Sequence, residues 1–417
     1  MLKDVIIGQQ AGLESAFREK YVEREVGALP LEHNLIKVVM GPRRAGKSFY
    51  VLHTLMHAGK FGYANFDDET LAEVKDYDEI LSEINQVYGN PKMLFFDEIQ
   101  NLQKWELFVN RLQRQGYNII ITGSNSKLLS RELATHLTGR CLPTVILTFS
   151  FKEYLTARGI DSDKLTKQKR EETLLEYMRN GGYPETIMKK LNTKEYLDVL
   201  FDSILYKDVV KRYNIRKGKE VEKLALYLIS NTGGEFSYLS LANATGIGSS
   251  ITSQKYAGFL EEAYLLFSIN RFSYKTKLAG QKKKAYCYDT GLLTAKAFQA
   301  SPNFGRLFEN TVAIHLKKGE IQKKFELYYW KDQQGHEVDF VRKEGARVAE
   351  LIQACYSLEE KKTREREVRA LLKAGKELHC KKLTMLTMKE DKKESEDWFG
   401  ITGTVVYKPL WKWLLEE

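Results

Sequence analysis

The first chemistry legible in this 417-residue chain is the octapeptide Gly41-Pro42-Arg43-Arg44-Ala45-Gly46-Lys47-Ser48. Its spacing is G-x-x-x-x-G-K-S, the pattern of a backbone loop that cradles phosphates. Gly41 and Gly46 let the chain curl so that its N–H groups point inward at an anion, and Pro42, Arg43, Arg44 and Ala45 line the same cradle. Lys47 is long enough to reach the β- and γ-phosphates of ATP, and the Ser48 hydroxyl is a ligand for Mg²⁺. Such a loop needs a strand before it and a helix after it. Residues 35–40 read as a buried strand, and residues 49–57 as a helix whose positive end faces the phosphates.

A second motif supplies carboxylates. Met93-Leu-Phe-Phe96 is a short apolar run followed at once by Asp97 and Glu98. A buried parallel strand would deliver both acids at its C-terminal end. In phosphate-loop enzymes the acid at that place helps hold Mg²⁺, the role expected of Asp97. Glu98 is placed to polarise an attacking water as general base. The pair follows the loop by about 50 residues, a common separation for two strands of one α/β sheet. An Asp-Glu pair alone is an ordinary solvated strand end. Together with the loop it predicts ATP binding and hydrolysis.

Strands and helices in alternation must position these residues. Strand patterns fall at 35–40, 61–66, 93–96, 117–122 and 144–148, with helical patterns between them, including 71–87 and 105–115. That order predicts a parallel sheet with helices on both faces over residues 1–150. Over 151–220 apolar residues recur at helical spacing and read as a helical lid, broken by the turn at Gly181-Gly182-Tyr183-Pro184. Residues 221–278 give a helix around 226–229, helices at 238–244 and 250–263, and a strand from 264 to 269. This order suggests a winged helix, although a structural three-helix unit reads equally well. Its second helix is barely basic. Lysines cluster instead at Lys275, Lys277, Lys282, Lys283 and Lys284, where a wing would lie. Residues 279–417 open with a strand and turn at 285–292. They continue with a helix at 305–317, strands at 325–330, 337–342, 348–353 and 383–388, and a charged helix at 363–377. Trp411 and Trp413 read as packing residues.

Length predicts about two or three domains. Lys and Arg outnumber Asp and Glu by 65 to 55, and the resulting charge of +10 favours a polyanionic partner such as DNA. Cys141, Cys287, Cys355 and Cys380 form no C-x-x-C pair and read as reduced thiols. No signal-peptide core opens the chain, and no apolar run is long enough to span a bilayer, so a cytoplasmic protein without a membrane partner is expected.

Over nearly its whole length the chain resembles the bacterial and archaeal AAA-type ATPases that carry a C-terminal domain related to the PD-(D/E)XK nucleases. The matching stretches are the phosphate loop with its Pro-Arg-Arg insert, Asn65-Phe-Asp-Asp68, Phe96-Asp-Glu-Ile-Gln100 and Ile121-Thr-Gly-Ser-Asn125. Leu137-Thr-Gly-Arg140, Gly182-Tyr-Pro184, Tyr288-Asp-Thr-Gly291 and His336-Glu-Val-Asp-Phe340 complete them. The resemblance implies an α/β chain. A P-loop AAA-type doubly wound sheet (1–150) would be followed by a helical lid (151–220), a winged helix (221–278) and a nuclease-like α/β domain (279–417). It implies a homo-oligomer. It also makes Asn125 the residue that senses the γ-phosphate, although Asn125 reads as a turn residue too. Arg140 becomes an arginine finger aimed at a neighbouring subunit, with Arg131 as its rival and a surface ion pair as the plainer reading of either. Pro184 belongs to a lid motif folded over the nucleotide. Asp67 and Asp68 end the second strand and equally well cap a helix.

The same resemblance implies a metal-dependent nuclease constellation that this chain does not complete. Glu309 fits the helix acid and Asp339 the strand-end acid. The next strand should carry Glu-x-Lys. Residues 349–354 offer Glu350 with Ile352, or Leu351 with Gln353, and neither register supplies the set. The leading expectation is therefore an ATPase coupled to a DNA-directed C-terminal half. The alternatives are a slow nucleotide switch that recruits a protein partner and an ATP-regulated nuclease.

Overall fold

A computed structural model describes residues 2–125, 139–273, 282–297 and 303–416. Arg131, Lys275 and Lys277 lie outside the described residues. The chain divides into two units, one of Met1–Thr148 with Glu262–Tyr264 and one of Phe149–Glu261 with Leu265–Glu417.

In the first unit five strands lie side by side in the order β2-β3-β4-β1-β5: β1 Ile36–Met40, β2 Phe61–Asn65, β3 Met93–Asp97, β4 Asn118–Gly123 and β5 Cys141–Val145. All their pairings are parallel. β1 is buried at every position, as a strand covered on both faces must be. Val39, Phe95 and Ile120 from three of these strands share one core with Val51 and Leu55 of helix α2, Lys47–Leu55. Helix α1, Leu2–Arg18, had no counterpart in the sequence reading, because only Ile6 and Leu13 of its seventeen residues are buried.

Two expectations need correction here. The helix expected over 71–87 is two helices, α3 Glu69–Ala72 and α4 Tyr77–Tyr88. Asp68 caps the first through Thr70 and Leu71, and Asp76 caps the second through Asp78. β5 begins three residues earlier than expected and contains Pro143, which an edge strand tolerates because its outer side needs no N–H. Helix α5, Trp105–Arg114, falls where it was expected.

The second unit opens with helices α6 Phe151–Arg158, α7 Lys167–Asn180, α8 Pro184–Met188 and α9 Thr193–Ser203. The last runs on into a π-helical stretch, Ile204–Lys211. Then come α10 Gly218–Ser230, β6 Glu235–Phe236, α11 Tyr238–Thr245, α12 Ser250–Glu262, β7 Leu266–Arg271 and β8 Lys283–Cys287. Helices α13 Thr290–Lys296 and α14 Phe304–Ile321 lead to β9 Glu326–Lys331, β10 Glu337–Glu344 and β11 Arg347–Ala354. Helix α15, Lys361–Glu377, crosses over to β12 Leu383–Thr387, which is parallel to β11. β13 Lys392–Trp398, β14 Ile401–Pro409 and α16 Leu410–Glu416 end the unit.

These strands form a single sheet in the order β13-β14-β12-β11-β10-β9-β7-β8-β6. β6 and β7, which precede residue 278, therefore share a sheet with the strands that follow it. β13 was invisible in the sequence. Its residues Lys-Lys-Glu-Ser-Glu-Asp-Trp alternate exposed with half-buried positions and carry no apolar period. Among the described residues no helix is long and apolar enough to cross a membrane.

Candidate nucleotide-binding site

The loop leaves β1 at Gly41, where φ is 144° and an added Cβ would stand 1.8 Å from the Ile146 carbonyl oxygen. Only glycine fits so close to the β5 side of the sheet. Gly46, with φ 90°, turns the chain into α2. Lys47 is the first residue of that helix and is buried. Its ammonium folds back to the Pro42 carbonyl at 3.0 Å and lies 3.7 Å from a Glu98 carboxylate oxygen. Arg43 reaches Asp67 at 3.5 Å.

Asp97 ends β3, buried beside the loop. The Ser48 hydroxyl donates to its Oδ1 at 2.9 Å, the Thr122 hydroxyl donates to the same oxygen, and the Tyr63 hydroxyl donates to Oδ2 at 3.3 Å. Burial, and then the neighbouring Glu98, push the Asp97 carboxyl up to about 6, while the Thr122 and Ser48 hydroxyls and Lys47 act the other way. Glu98 takes up left-handed backbone, φ 50°, an uncommon conformation for a non-glycine residue that recurs at functional sites. Its N–H donates to Thr122 Oγ1 at 3.0 Å, and the Gln100 amide donates to its carboxylate. Asp97 and Ser48 thus present adjacent hard oxygen donors, as Mg²⁺ requires, and the residues fit that ion.

Ser124 and Asn125 follow β4 directly and are both buried. β3 and β4 run parallel with Phe96 opposite Ile121, so the ends that carry Asp97 and Ser124 face the same edge of the sheet. Arg140 sits at the other edge. Its carbonyl accepts from the N–H of Ile36, the first residue of β1, and its guanidinium donates to Asn110 at 3.0 Å. The length of β1 separates it from the loop, about 13 Å at the usual rise per residue.

Four contributors escaped the sequence reading: Thr122, Tyr63, Gln100 and Arg24. Arg24 is buried, and its guanidinium donates to the carbonyls of Ala45, at 2.8 Å, and Leu147. It braces the phosphate loop against the segment after β5. Thr122 and Gln100 both lie inside motifs noted in the sequence, although neither motif says which carboxylate they meet. Tyr63 and Arg24 carried no signal.

In the second unit Pro184 opens α8. The adjoining Gly182 N–H donates to Asp289 at 2.8 Å, and Gly291 N–H donates to the same carboxylate at 2.9 Å. A Cβ on Gly181 would fall 2.0 Å from Asp289, so the Gly181-Gly182-Tyr183-Pro184 turn and the Tyr288-Asp289-Thr290-Gly291 stretch are built around one buried acid.

Phe340 pairs with Ile352, which sets Asp339 beside Gln353, a residue that carries no carboxylate. Glu350 faces the other side, toward Arg342 at 2.9 Å, Lys382 at 3.0 Å and the Thr384 hydroxyl at 2.7 Å. The expected basic wing needs correction. Lys284 turns into the interior, Lys282 lies 3.6 Å from Glu235, and Lys283 lies over the Tyr238 ring.

Comparison with known proteins agrees with the loop chemistry. Residues 33–155 match an AAA domain, 171–302 a domain of unknown function (DUF8612) and 304–407 another (DUF4143). An uncharacterized protein of Methanocaldococcus jannaschii, MJ1544, is 37% identical over 97% of this chain and 93% of its own length. An uncharacterized protein of Haemophilus influenzae is 30% identical over 72% of this chain and 78% of its own. Among solved structures, the Walker-type ATPase PABY2304 of Pyrococcus abyssi superposes with a TM-score of 0.45 at 15% identity, over 67% of this chain and 96% of that one.

Proposed function

This chain belongs to the same family as the M. jannaschii protein MJ1544, and from that premise we propose that its AAA domain binds ATP with Mg²⁺ and hydrolyses it to drive conformational change. The observation that carries the reading is the meeting of four side chains at one sheet edge. Ser48 lies 2.9 Å from Asp97, and Lys47 lies 3.7 Å from Glu98.

Each residue has a distinct task. Backbone N–H groups of residues 41–48 and the Lys47 ammonium hold the β- and γ-phosphates. The Ser48 hydroxyl and the Asp97 carboxylate would hold Mg²⁺, which would supply charge neutralisation on the phosphate oxygens. Glu98 accepts the proton of the attacking water. Its release from Lys47 and Gln100 accompanies the arrival of the nucleotide. Asn125 contributes an amide that can both donate and accept near the γ-phosphate. Arg140 acts on the nucleotide of a neighbouring subunit in a homo-oligomer, and its place at the far sheet edge supports action in trans. Pro184 belongs to the lid.

The second unit is the output half, and DNA is its proposed ligand. The order α10-β6-α11-α12-β7-β8, with β8 pairing antiparallel with both β7 and β6, supports a winged-helix reading. A slow nucleotide switch is the second reading, favoured by the engagement of Glu98 with Gln100 and Lys47. ATP turnover measured with and without single- and double-stranded DNA separates the two. Stimulation by DNA supports the coupled ATPase. Tight nucleotide retention indifferent to DNA supports the switch.

A further inference from the structure

Lys284 lies on β8 with only 2% of its side chain exposed. A buried ammonium stays charged only where anions neutralise it. Three carboxylates surround it, Glu337 at 2.6 Å and Glu309 and Asp339 each at 3.2 Å. Glu309 comes from α14. Glu337 and Asp339 come from β10, two residues apart and so on one face of the strand. The lysine thus ties β8, α14 and β10 together, and its three carboxylate partners line a cleft of about 1050 Å³.

The carboxylates are already engaged. Tyr286 donates its hydroxyl to Glu309 at 2.7 Å, the Ala354 N–H donates to Asp339 at 3.1 Å, and Lys331 donates to Glu337 at 2.8 Å. Gly233 has φ 76°, and a Cβ there would stand 2.8 Å from Glu309, so the backbone is shaped to admit that acid. Gln353 accepts the Asp339 N–H on its amide oxygen at 3.3 Å and donates to Glu367 with its nitrogen. An N–H must face the oxygen, so the oxygen is committed to the backbone. Cys355, two residues on, donates its thiol to the Ser357 carbonyl at 3.1 Å. Gln353 and Cys355 supply neither a carboxylate nor an ammonium, and the lysine of the cluster arrives from β8.

We infer that the Lys284 ammonium occupies the position a divalent cation would take among Glu309, Glu337 and Asp339, which makes the cluster a metal-free, internally neutralised brace rather than a phosphodiester-cleaving centre. A hard cation needs several oxygens at ~2.0–2.6 Å, which here would require expelling a buried lysine and reorienting an uncharged amide. Among the described residues no group of three or more His, Cys, Asp or Glu is arranged to hold a metal. Charge balance agrees. Burial, and then Glu309, push the Asp339 carboxyl up to about 7, so near neutral pH it is partly protonated, and Lys284 together with Lys331 faces the Glu309 and Glu337 carboxylates. This inference stands apart from the proposed ATPase reaction and survives if that fails.

The test counts bound Mn²⁺ by electron paramagnetic resonance on the full chain without nucleotide, in wild type, Asp339→Asn and Lys284→Ala. Nicking of supercoiled plasmid in Mn²⁺ is assayed in parallel. Any Mn²⁺ at the phosphate loop cancels in the comparison. Wild type and Asp339→Asn should bind Mn²⁺ alike and nick nothing, whereas Lys284→Ala should gain affinity by at least about tenfold as the fixed positive charge is lost. A Mn²⁺ ion or nicking activity present in wild type and lost in Asp339→Asn overturns the inference. So does a folded Lys284→Ala protein with no gain in Mn²⁺ binding. Should Lys284→Ala fail to fold, the wild-type and Asp339→Asn pair decides alone.

Discussion

Asp97→Asn removes a carboxylate whose ionisation works against the fold. Asp97 is 3% exposed, and burial moves its carboxyl from an ordinary 3.8 to about 6. The folded protein therefore holds this proton more tightly than the unfolded chain does. The sign follows directly: the contribution favours the fold at low pH, declines as pH rises from 3.8 to about 6, and is gone above that window. The displacement corresponds to about 3 kcal/mol at ~1.4 kcal/mol per pH unit. Asparagine has the same shape, keeps an oxygen for the Ser48 and Thr122 hydroxyls, and never ionises. Asp97→Asn should accordingly be more stable than wild type near pH 7.5, by up to about 3 kcal/mol, and lose that advantage near pH 4. It should also lose Mg²⁺-dependent turnover. Hydrogen exchange at the amides of β3 and β4, corrected for intrinsic rates at each pH, reads the opening free energy where it matters. An Asp97→Asn protein no more stable than wild type at the higher pH, or a gain unchanged at the lower one, would refute the reasoning.

Three further outcomes are expected. Gly41→Ala places a Cβ 1.8 Å from the Ile146 carbonyl, so titration with a fluorescent ATP analogue should show affinity reduced by about tenfold or more, and unchanged affinity contradicts the packing argument. Arg24→Ala strips the Ala45 and Leu147 carbonyls of a shared charged donor and should cost about 2–4 kcal/mol in denaturant unfolding of the ATPase unit. Arg24→Lys should recover less than half of that, because one ammonium nitrogen replaces the two separate guanidinium nitrogens that reach Ala45 and Leu147. Arg140→Ala should bind ATP normally yet turn it over about 10³–10⁵ times more slowly, with activity partly restored on mixing with Lys47→Ala protein. Specific activity that stays flat on dilution to monomer speaks against action in trans.

The central strands β1, β3 and β4 of the first unit were legible because they are buried on both faces and read as apolar runs, whereas β5, half-buried at the sheet edge, begins three residues before its apolar pattern. The loop was legible because its chemistry demands particular residues at fixed spacing. Other features depend on contacts that no local pattern encodes. Thr122 ends an Ile-Ile-Ile-Thr run that says nothing about which carboxylate its hydroxyl meets. Arg24 precedes the loop in a stretch without periodicity, and its role exists only once the backbone has folded over Ala45. The strand holding Gln353 was found, but period-two alternation fixes which residues share a face and not which of them meets Asp339 on the neighbouring strand. A shift of pairing between Arg342 and Lys343 adds to that ambiguity. Lys284 was read with its neighbours as part of a basic wing. A run of three lysines does not reveal that Lys284, the second residue of β8, meets three acids on α14 and β10.

The most direct test of the central claim is ATP turnover in Mg²⁺ by the full chain carrying Glu98→Gln, with nucleotide retention followed by filter binding. Glutamine keeps the size of the side chain and removes the proton acceptor. Turnover should fall by about 10²–10⁴ while bound ATP persists unhydrolysed, and Lys47→Ala should retain neither binding nor turnover. Wild-type turnover by the Glu98→Gln protein, or a wild-type protein that binds no ATP, would contradict the account.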